Sequence, residues 1–318
     1  MIYFYISVGV LLFLAAAALL TSYICFRMVF LENRKAEEAK RKNKKDDIPT
    51  PDGDEYEPYR DKIREKIREA RALPYEEMEI TSFEGLKLRC RYYESIPGAP
   101  LELMMHGYSG SSERDLSAGI FRAFKVGRNA LLVDHRASGR SEGRVITFGA
   151  LEKRDCMLWI DHMIARFGDD VRIVLTGISM GAATVMMCSA EKLPKNVVGV
   201  LADCGYTSAE AIIKKVIRDM KLPADILYPF VRLGARIFGK FNVDEADALS
   251  AVAKSRLPII FIHGEDDGFV PCDMSRENYE ACTSEKALVT IPKADHGLCY
   301  MIDPEGYISA LNDFFKFQ

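Results

Sequence analysis

The chain has 318 residues, of which 48% are hydrophobic and 28% are charged, and its formal net charge is −3 at neutral pH. This length suits one globular domain of ordinary composition with an appendage. A charge this close to zero gives no electrostatic basis for binding nucleic acid, so we expect no nucleic-acid partner.

The first predicted element is a membrane span. Residues 2–26 carry no charged side chain and are dominated by Leu, Ala, Val and aromatic residues. A run of this length crosses the hydrocarbon core of a bilayer as a helix. A cleaved signal peptide fits less well, because no Lys or Arg precedes the run and the run exceeds the usual apolar region. A lipoprotein signal at Cys25 would need small residues where Tyr23 and Ile24 stand.

The basic residues around the span predict its orientation. None precedes the span, whereas eight Lys or Arg residues lie between residues 27 and 45. Positively charged flanks stay in the cytoplasm. The eight cysteines have no paired spacing, which fits a reducing compartment. We therefore predict a single-pass anchor over residues 1–31, in contact with lipid of the cell membrane, and a cytoplasmic location for the rest of the chain.

Residues 32–55 are charged, end in a sequence rich in Pro and Asp, and are predicted to form a linker. The following residues, 56–73, have a helical pattern with Ile63, Ile67 and Ala70 on one face. We assign residues 56–318 to a single domain that includes this helix.

The rest of the chain predicts an α/β fold. Residues 77–82 and 86–93 form a predicted hairpin, after which apolar runs alternate with helical patterns. Buried parallel strands have continuous apolar runs, and their alternation with helices predicts a mostly parallel, eight-stranded sheet flanked by helices. The six apolar runs are residues 101–105, 130–134, 171–176, 197–203, 258–263 and 287–291.

A sharp turn is predicted at Gly177-Ile178-Ser179-Met180-Gly181, between a strand and a helix-prone stretch. Residues two before and two after the serine must be small in such a turn, and both are glycine. The serine hydroxyl is then accessible to a base, and the amides of the following helix favour negative charge there. A glycine-rich turn with an incidental serine is the alternative.

More than fifty residues separate Asp203 from Pro258, which exceeds the length of one crossover. Residues 211–220 and 224–238 have amphipathic helical patterns. The two helices either form a small cap or pack in the ordinary way against the domain core.

Histidines and acidic residues follow other predicted strands. Each of three segments follows an apolar run: His106-Gly107-Tyr108, His263-Gly264-Glu265-Asp266-Asp267 and Asp295-His296-Gly297. Ligands of such sheets bind at the carboxyl ends of the strands. His106 and His263 are expected to make structural hydrogen bonds, whereas His296 follows both the acidic cluster and the last strand.

With Ser179, Asp267 and His296 in this order, the chain resembles the α/β-hydrolase superfamily over roughly residues 75–318. Residues 134–143 are similar to the family's D-x-R-G-x-G-x-S segment, although Ala137 replaces a usual glycine. The most similar branch contains bacterial serine esterases and acyl-peptidase or serine aminopeptidase-like hydrolases. Family relatives insert caps after the strand that ends at Asp203, so the resemblance favours a small helical cap, about residues 206–253, with Ile226 and Phe230 above an acyl pocket.

The resemblance implies a role for each site residue. Ser179 is the expected nucleophile, His296 the general base and Asp267 the carboxylate that orients the imidazole. The family spacing H-G-x-x-D-x-x-V-P favours Asp267, with Asp266 as the alternative. The backbone amides of Tyr108 and Met180 are the expected oxyanion hole.

We therefore expect a serine hydrolase of the carboxylesterase type that cleaves an ester, thioester or small amide through an acyl-enzyme. Its substrate would be a small acyl compound or a short peptide, and an acyl-peptidase or aminopeptidase-like enzyme is the alternative. A non-catalytic scaffold is disfavoured because every triad position is present. We expect no cofactor and no metal, since no ligand cluster or nucleotide-binding motif occurs.

Overall fold

The computed structural model describes residues 1–32 and 47–316, so most of the predicted linker lies outside the described residues. Its centre is an eight-stranded sheet with the order β1-β2-β4-β3-β5-β6-β7-β8. The first two strands form an antiparallel hairpin whose second strand pairs antiparallel with β4, and all other pairs are parallel. The strands are β1 (Glu76–Thr81), β2 (Lys87–Tyr93), β3 (Leu101–Met105), β4 (Asn129–Val133), β5 (Ile173–Ile178), β6 (Val197–Asp203), β7 (Ile259–Gly264) and β8 (Lys286–Ile291).

The predicted sheet is confirmed, with strand ends displaced by two residues at most. Every residue of β3, β4 and β7 is buried, as expected for parallel strands covered on both faces. Because β3, β5, β6, β7 and β8 run in the same direction, the segments that follow them meet at one edge of the sheet.

Helices cover both faces of the sheet. The predicted helix over residues 56–73 begins instead as a 3₁₀ turn, Asp54–Tyr59, which contains Pro58 and precedes an α-helix. The helices are α1 (Ile2–Val29), α2 (Arg60–Ala72), α3 (Ser112–Lys125), α4 (Glu152–Phe167), α5 (Met180–Cys188), α6 (Ala209–Asp219), α7 (Ala224–Ile237), α8 (Ala248–Val252), α9 (Cys272–Ala281), α10 (Cys299–Ile302) and α11 (Pro304–Phe314), with a second 3₁₀ turn at Val243–Glu245.

Helix α1 is long and apolar enough to cross a membrane, a property that signal sequences share. Its 28 residues extend for about 42 Å, more than the roughly 30 Å of a hydrocarbon core. Through residue 20 its side chains are exposed, except for the half-buried Ala18. Beyond that point Ser22, Phe26 and Phe30 are buried against the rest of the protein.

The carboxyl-terminal third of α1 packs against α7. A Cβ atom at Gly234 would overlap the carbonyl oxygen of Ser22, so the two backbones approach closely. The Phe238 ring lies 5.1 Å from the Tyr23 ring and 5.9 Å from the Phe26 ring. After α1, the amide of Glu32 donates to a backbone carbonyl 2.8 Å away, in the segment before α4. The end of α1 is therefore an integral part of the folded domain.

We predict that Gly234→Leu separates α1 from α7, because its side chain occupies the space of the Ser22 carbonyl. Overpacking of this kind costs about 1–3 kcal/mol, which lowers the melting temperature in detergent micelles. Gly9→Leu is the matched control, since nothing lies within 4 Å of a Cβ there. Equal melting temperatures for the two variants would contradict the α1–α7 contact.

Candidate active site

Ser179 occupies the predicted sharp turn between β5 and α5. Its φ of 57° and ψ of −118° lie in a region that non-glycine residues rarely adopt, which costs about 1–3 kcal/mol. A Cβ atom at Gly177 would overlap the backbone of Gly181, and one at Gly181 would overlap the carbonyl of Met105. The two glycines therefore allow α5 to start against the end of β3, and the Ser179 amide donates to the Asp203 carbonyl at 2.8 Å.

Ser179, His296 and Asp267 form a continuous chain of hydrogen bonds. His296 Nδ1 lies 2.7 Å from Asp267 Oδ2, and His296 Nε2 lies 2.9 Å from Ser179 Oγ. A carboxylate only accepts, so Nδ1 carries the ring proton and donates it. The Nε2 lone pair of His296 is then free to accept the hydroxyl proton of Ser179, as general-base catalysis requires.

The Asp267 carboxylate is buried but well supplied with donors. Its Oδ1 accepts the amides of Phe269 at 2.9 Å and Val270 at 2.7 Å. Burial raises the pKa of Asp267, but hydrogen bonds from His263 and His296 outweigh burial and hold that pKa well below its usual range. Asp267 therefore stays ionised beside the imidazole, whereas its neighbour Asp266 is exposed.

His263 has a specific contact that the sequence analysis missed. Its Nε2 lies 3.2 Å from Asp267 Oδ2 and 2.9 Å from the Val270 carbonyl oxygen, while its Nδ1 lies 2.6 Å from Ser275 Oγ. A carbonyl only accepts, so Nε2 carries the proton, which it also directs to the carboxylate. In the sequence, the signal that could have indicated this contact is that His263 stands four residues before Asp267.

The loop after β3 passes directly against Ser179. A Cβ atom at Gly107 would lie 3.5 Å from Ser179 Cβ, and the Gly107 amide donates to Asp115 Oδ2 at 3.1 Å. The Tyr108 hydroxyl donates to the Val29 carbonyl, the last of α1, at 2.8 Å. Burial raises the pKa of Tyr108 to about 12, which keeps this donor protonated.

The two expected oxyanion donors come from two different segments next to the serine. Tyr108 belongs to the loop after β3, and Met180 is the buried first residue of α5. The same loop is fixed by His106 and His135, because the His135 amide donates to His106 Nε2 at 3.1 Å and His135 Nε2 lies 3.0 Å from the His106 carbonyl. The oxyanion role of the Tyr108 and Met180 amides stays a prediction.

Comparison with known proteins places this arrangement in context. No protein-family model matches the chain. The chain is similar to the uncharacterized protein YqkD of Bacillus subtilis, with 25% identity over 190 residues that make up 59% of this chain and 62% of YqkD. It is equally similar to WAV2 of Arabidopsis thaliana, an alpha/beta hydrolase domain-containing protein, with 25% identity over 63% of this chain and 64% of WAV2. These matches span less than two thirds of either relative.

Among solved structures, the esterase Pf2001 of Pyrococcus furiosus has a TM-score of 0.64 and 24% identity, covering 84% of this chain and 96% of the esterase. The chain has the α/β-hydrolase fold. The resemblance inferred from the motifs is thus confirmed at the level of the fold.

Two cavities of the protein meet at Ser179. The charged chamber, of about 290 Å³, lies between helix α3 and α2 with the segment before it, and its charged lining residues are Asp52, Glu55, Lys66, Arg114 and Asp115. The apolar chamber, of about 480 Å³, lies between α1, α6 and α7. Ser179, Tyr108 and Phe269 line both chambers, so the two chambers adjoin at the Ser179 side chain.

The expectation that Ile226 and Phe230 cover an acyl pocket is wrong. Ile226 is 65% exposed, and the residues of α7 that line the apolar chamber are Leu227 and Val231. The contact of Gly234 with α1 fixes the rotation of α7 about its axis, so that Leu227 and Val231 point inward. The amphipathic pattern predicted helix α7, but it did not predict this rotation.

Cys204, Asp267 and His296 place ligand-type atoms within 4.8 Å of one another. Burial raises the pKa of the Cys204 thiol well above its usual value, and a protonated thiol is a poor metal ligand. Asp267 and His296 already bond to each other, so this cluster suits proton transfer better than metal binding.

We predict that Ser179→Gly is more stable than Ser179→Ala. Both variants lose the hydrogen bond to His296, but only glycine relieves the strained backbone at φ 57°. The free energy of unfolding should be about 1 kcal/mol higher for glycine, measured by denaturant titration in detergent. At Ser189, with φ −63°, the order of Gly and Ala should be reversed. A more stable alanine variant at position 179 would show that the turn is unstrained.

Proposed function

We propose that this protein is a membrane-anchored serine hydrolase that cleaves an ester, thioester or small amide through an acyl-enzyme. The observation that carries the proposal is the hydrogen-bonded chain from Ser179 through His296 to Asp267, at 2.9 and 2.7 Å. The strained turn presents the Ser179 hydroxyl where both chambers meet.

In the proposed reaction, Ser179 Oγ attacks the substrate carbonyl carbon and its proton passes to His296 Nε2. The resulting imidazolium is stabilised by the ionised Asp267. His296 then returns the proton to the departing alcohol, thiol or amine, which leaves the acyl group on Ser179. Water attacks this ester, its proton passes through His296 back to Ser179 Oγ, and a carboxylic acid is released. The amides of Tyr108 and Met180 are proposed to stabilise the oxyanion.

An ester or thioester is favoured over a peptide. An aminopeptidase needs a predominantly acidic surface for the substrate ammonium, whereas the three acidic residues of the charged chamber, Asp52, Glu55 and Asp115, share it with Lys66 and Arg114. Arg114 Nε lies 2.5 Å from Asp115 Oδ1, which neutralises that carboxylate. The apolar chamber on the other side suits an acyl group.

We further propose the organisation that the sequence predicts. Residues 1–31 form the anchor, residues 32–55 the linker and residues 56–318 the hydrolase domain, with the cap at about residues 206–253. The basic residues after the span support a cytoplasmic domain. Because α1 is in contact with α7, we propose that the anchor and the cap form one structural unit.

Replacement of the triad should abolish activity. Ser179→Ala should lower kcat for p-nitrophenyl butyrate roughly 10⁶-fold and Asp267→Asn roughly 10⁴-fold, because the triad acts as a unit. Fluorophosphonate labelling of Ser179→Ala should be lost as well. Circular dichroism should confirm that both variants remain folded.

Asp266→Asn is the matched control, since this carboxylate is exposed and adjacent to Asp267. It should change kcat less than about twofold, as surface substitutions usually do. If Asp266→Asn were the more damaging of the two, the choice of acid would be wrong.

The protein should remain in membranes after a carbonate wash, and a tag after Gln318 should resist protease in intact cells. Removal of residues 1–20 should release a soluble protein that still hydrolyses p-nitrophenyl butyrate, because the contacts with α7 begin at Ser22. Full-length protein in the soluble fraction, or a mature N-terminus beyond Phe26, would contradict the anchor.

A further inference from the structure

The apolar chamber is walled in part by the helix that is long enough to cross a membrane. Five side chains of α1 line it, and the opposite walls come from the cap helices α6 and α7. At its inner end the chamber reaches Ser179. The lining residues of α1 are Thr21, Ile24, Cys25, Met28 and Val29.

The chamber opens beside α1. Ile24 and Met28 of α1 line the chamber and are also exposed, at 49% and 66%. Met220 and Leu222, in the loop between α6 and α7, also line the chamber and are also exposed. These four exposed apolar side chains mark an entrance beside α1. The other exposed lining residue, Phe269, lies at the end that the two chambers share.

This entrance lies at the depth of the membrane surface. The uncharged run of α1 ends at Arg27, whose guanidinium lies 5.9 Å from the ring of Tyr23. Tyrosine and a long basic side chain are typical of the boundary between hydrocarbon and headgroups. The entrance residues Ile24 and Met28 directly follow Tyr23 and Arg27 along the helix, so the chamber opens where acyl chains begin.

The cap presents an apolar surface next to α1. Ile226, Phe230, Leu233 and Ile237 recur at helical spacing along α7, and three of them are exposed. On the same helix, Leu227, Val231 and Gly234 face the chamber or α1. An exposed apolar stripe beside a membrane-spanning helix suits immersion in the interface.

We propose that the substrate is a long-chain acyl ester of a membrane glycerolipid, and that its acyl chain enters the apolar chamber directly from the bilayer between α1 and the loop at Met220 and Leu222. The headgroup side of the ester occupies the charged chamber, whose charged lining residues suit a polar leaving group: Asp52, Glu55, Lys66, Arg114 and Asp115. The proposal rests on the serine-hydrolase function and uses the same reaction: the free fatty acid and the deacylated lipid are its products.

The substrate is tested with the full-length protein in vesicles of dioleoylphosphatidylcholine, dioleoylphosphatidylglycerol and dioleoylglycerol. Mass spectrometry should detect oleate with the wild type and none with Ser179→Ala. No oleate release by protein that hydrolyses p-nitrophenyl butyrate in the same vesicles would overturn the lipid substrate, and cleavage of a vesicle-anchored S-palmitoyl peptide instead would identify a protein substrate. If the wild-type protein neither hydrolysed p-nitrophenyl butyrate nor reacted with a fluorophosphonate, the proposed function itself would be overturned.

The route of entry is tested with Ile24→Trp, which narrows the entrance, against Leu20→Trp, one turn earlier on α1 and outside the chamber lining. Each buried methylene contributes roughly a fourfold gain in binding, so long chains depend on the chamber far more than short ones. The ratio of kcat/KM for p-nitrophenyl palmitate to that for p-nitrophenyl butyrate should fall at least about tenfold in Ile24→Trp. It should be unchanged in Leu20→Trp. An unchanged ratio in both variants, or an equal fall in both, would overturn entry beside α1.

Discussion

The close contact of three backbones at Ser179 is the constraint on which the rest of the site depends. Because Gly181 lacks a side chain, α5 starts against the Met105 carbonyl at the end of β3. The Gly107–Tyr108 loop therefore touches the serine, and the Ser179 amide reaches the carbonyl of Asp203 on β6. One strained residue thus joins three neighbouring strands, and the chemistry sits where their ends converge.

The second constraint is electrostatic. A buried carboxylate is costly unless its oxygens are satisfied, and Asp267 receives two backbone amides and two imidazoles. Without His263, the Oδ2 atom of Asp267 would have His296 as its single hydrogen-bond donor. Since His263 is itself held by Ser275 and the Val270 carbonyl, the carboxylate is fixed before it orients His296.

Residue type and spacing sufficed to predict the sheet, the turn at Ser179 and the order of Ser179, Asp267 and His296, because each depends on a few consecutive residues. Features that depend on distant contacts could not be predicted. The rotation of α7 is set by Gly234 against Ser22, which are more than two hundred residues apart in the chain. The bond from His263 to Asp267 depends on ring orientation, and the role of α1 as a chamber wall depends on tertiary packing. Pro58 was visible in the sequence, but the 3₁₀ turn around it was not predicted.

The hydrogen bond from Tyr108 to the Val29 carbonyl has a geometric consequence. A domain on a flexible tether tumbles above a bilayer and meets it in many attitudes. Here the last turn of α1 is bonded to the loop beside Ser179, and its preceding turns are locked to α7. In the proposed membrane orientation, the height of Ser179 above the bilayer and the direction in which it faces are therefore set by the fold itself. A one-residue insertion before Thr21 would rotate the preceding part of α1 by about 100° relative to the domain without changing its hydropathy. The placement of α1 relative to Ser179 consequently depends on its register against the domain, and not on its hydropathy alone.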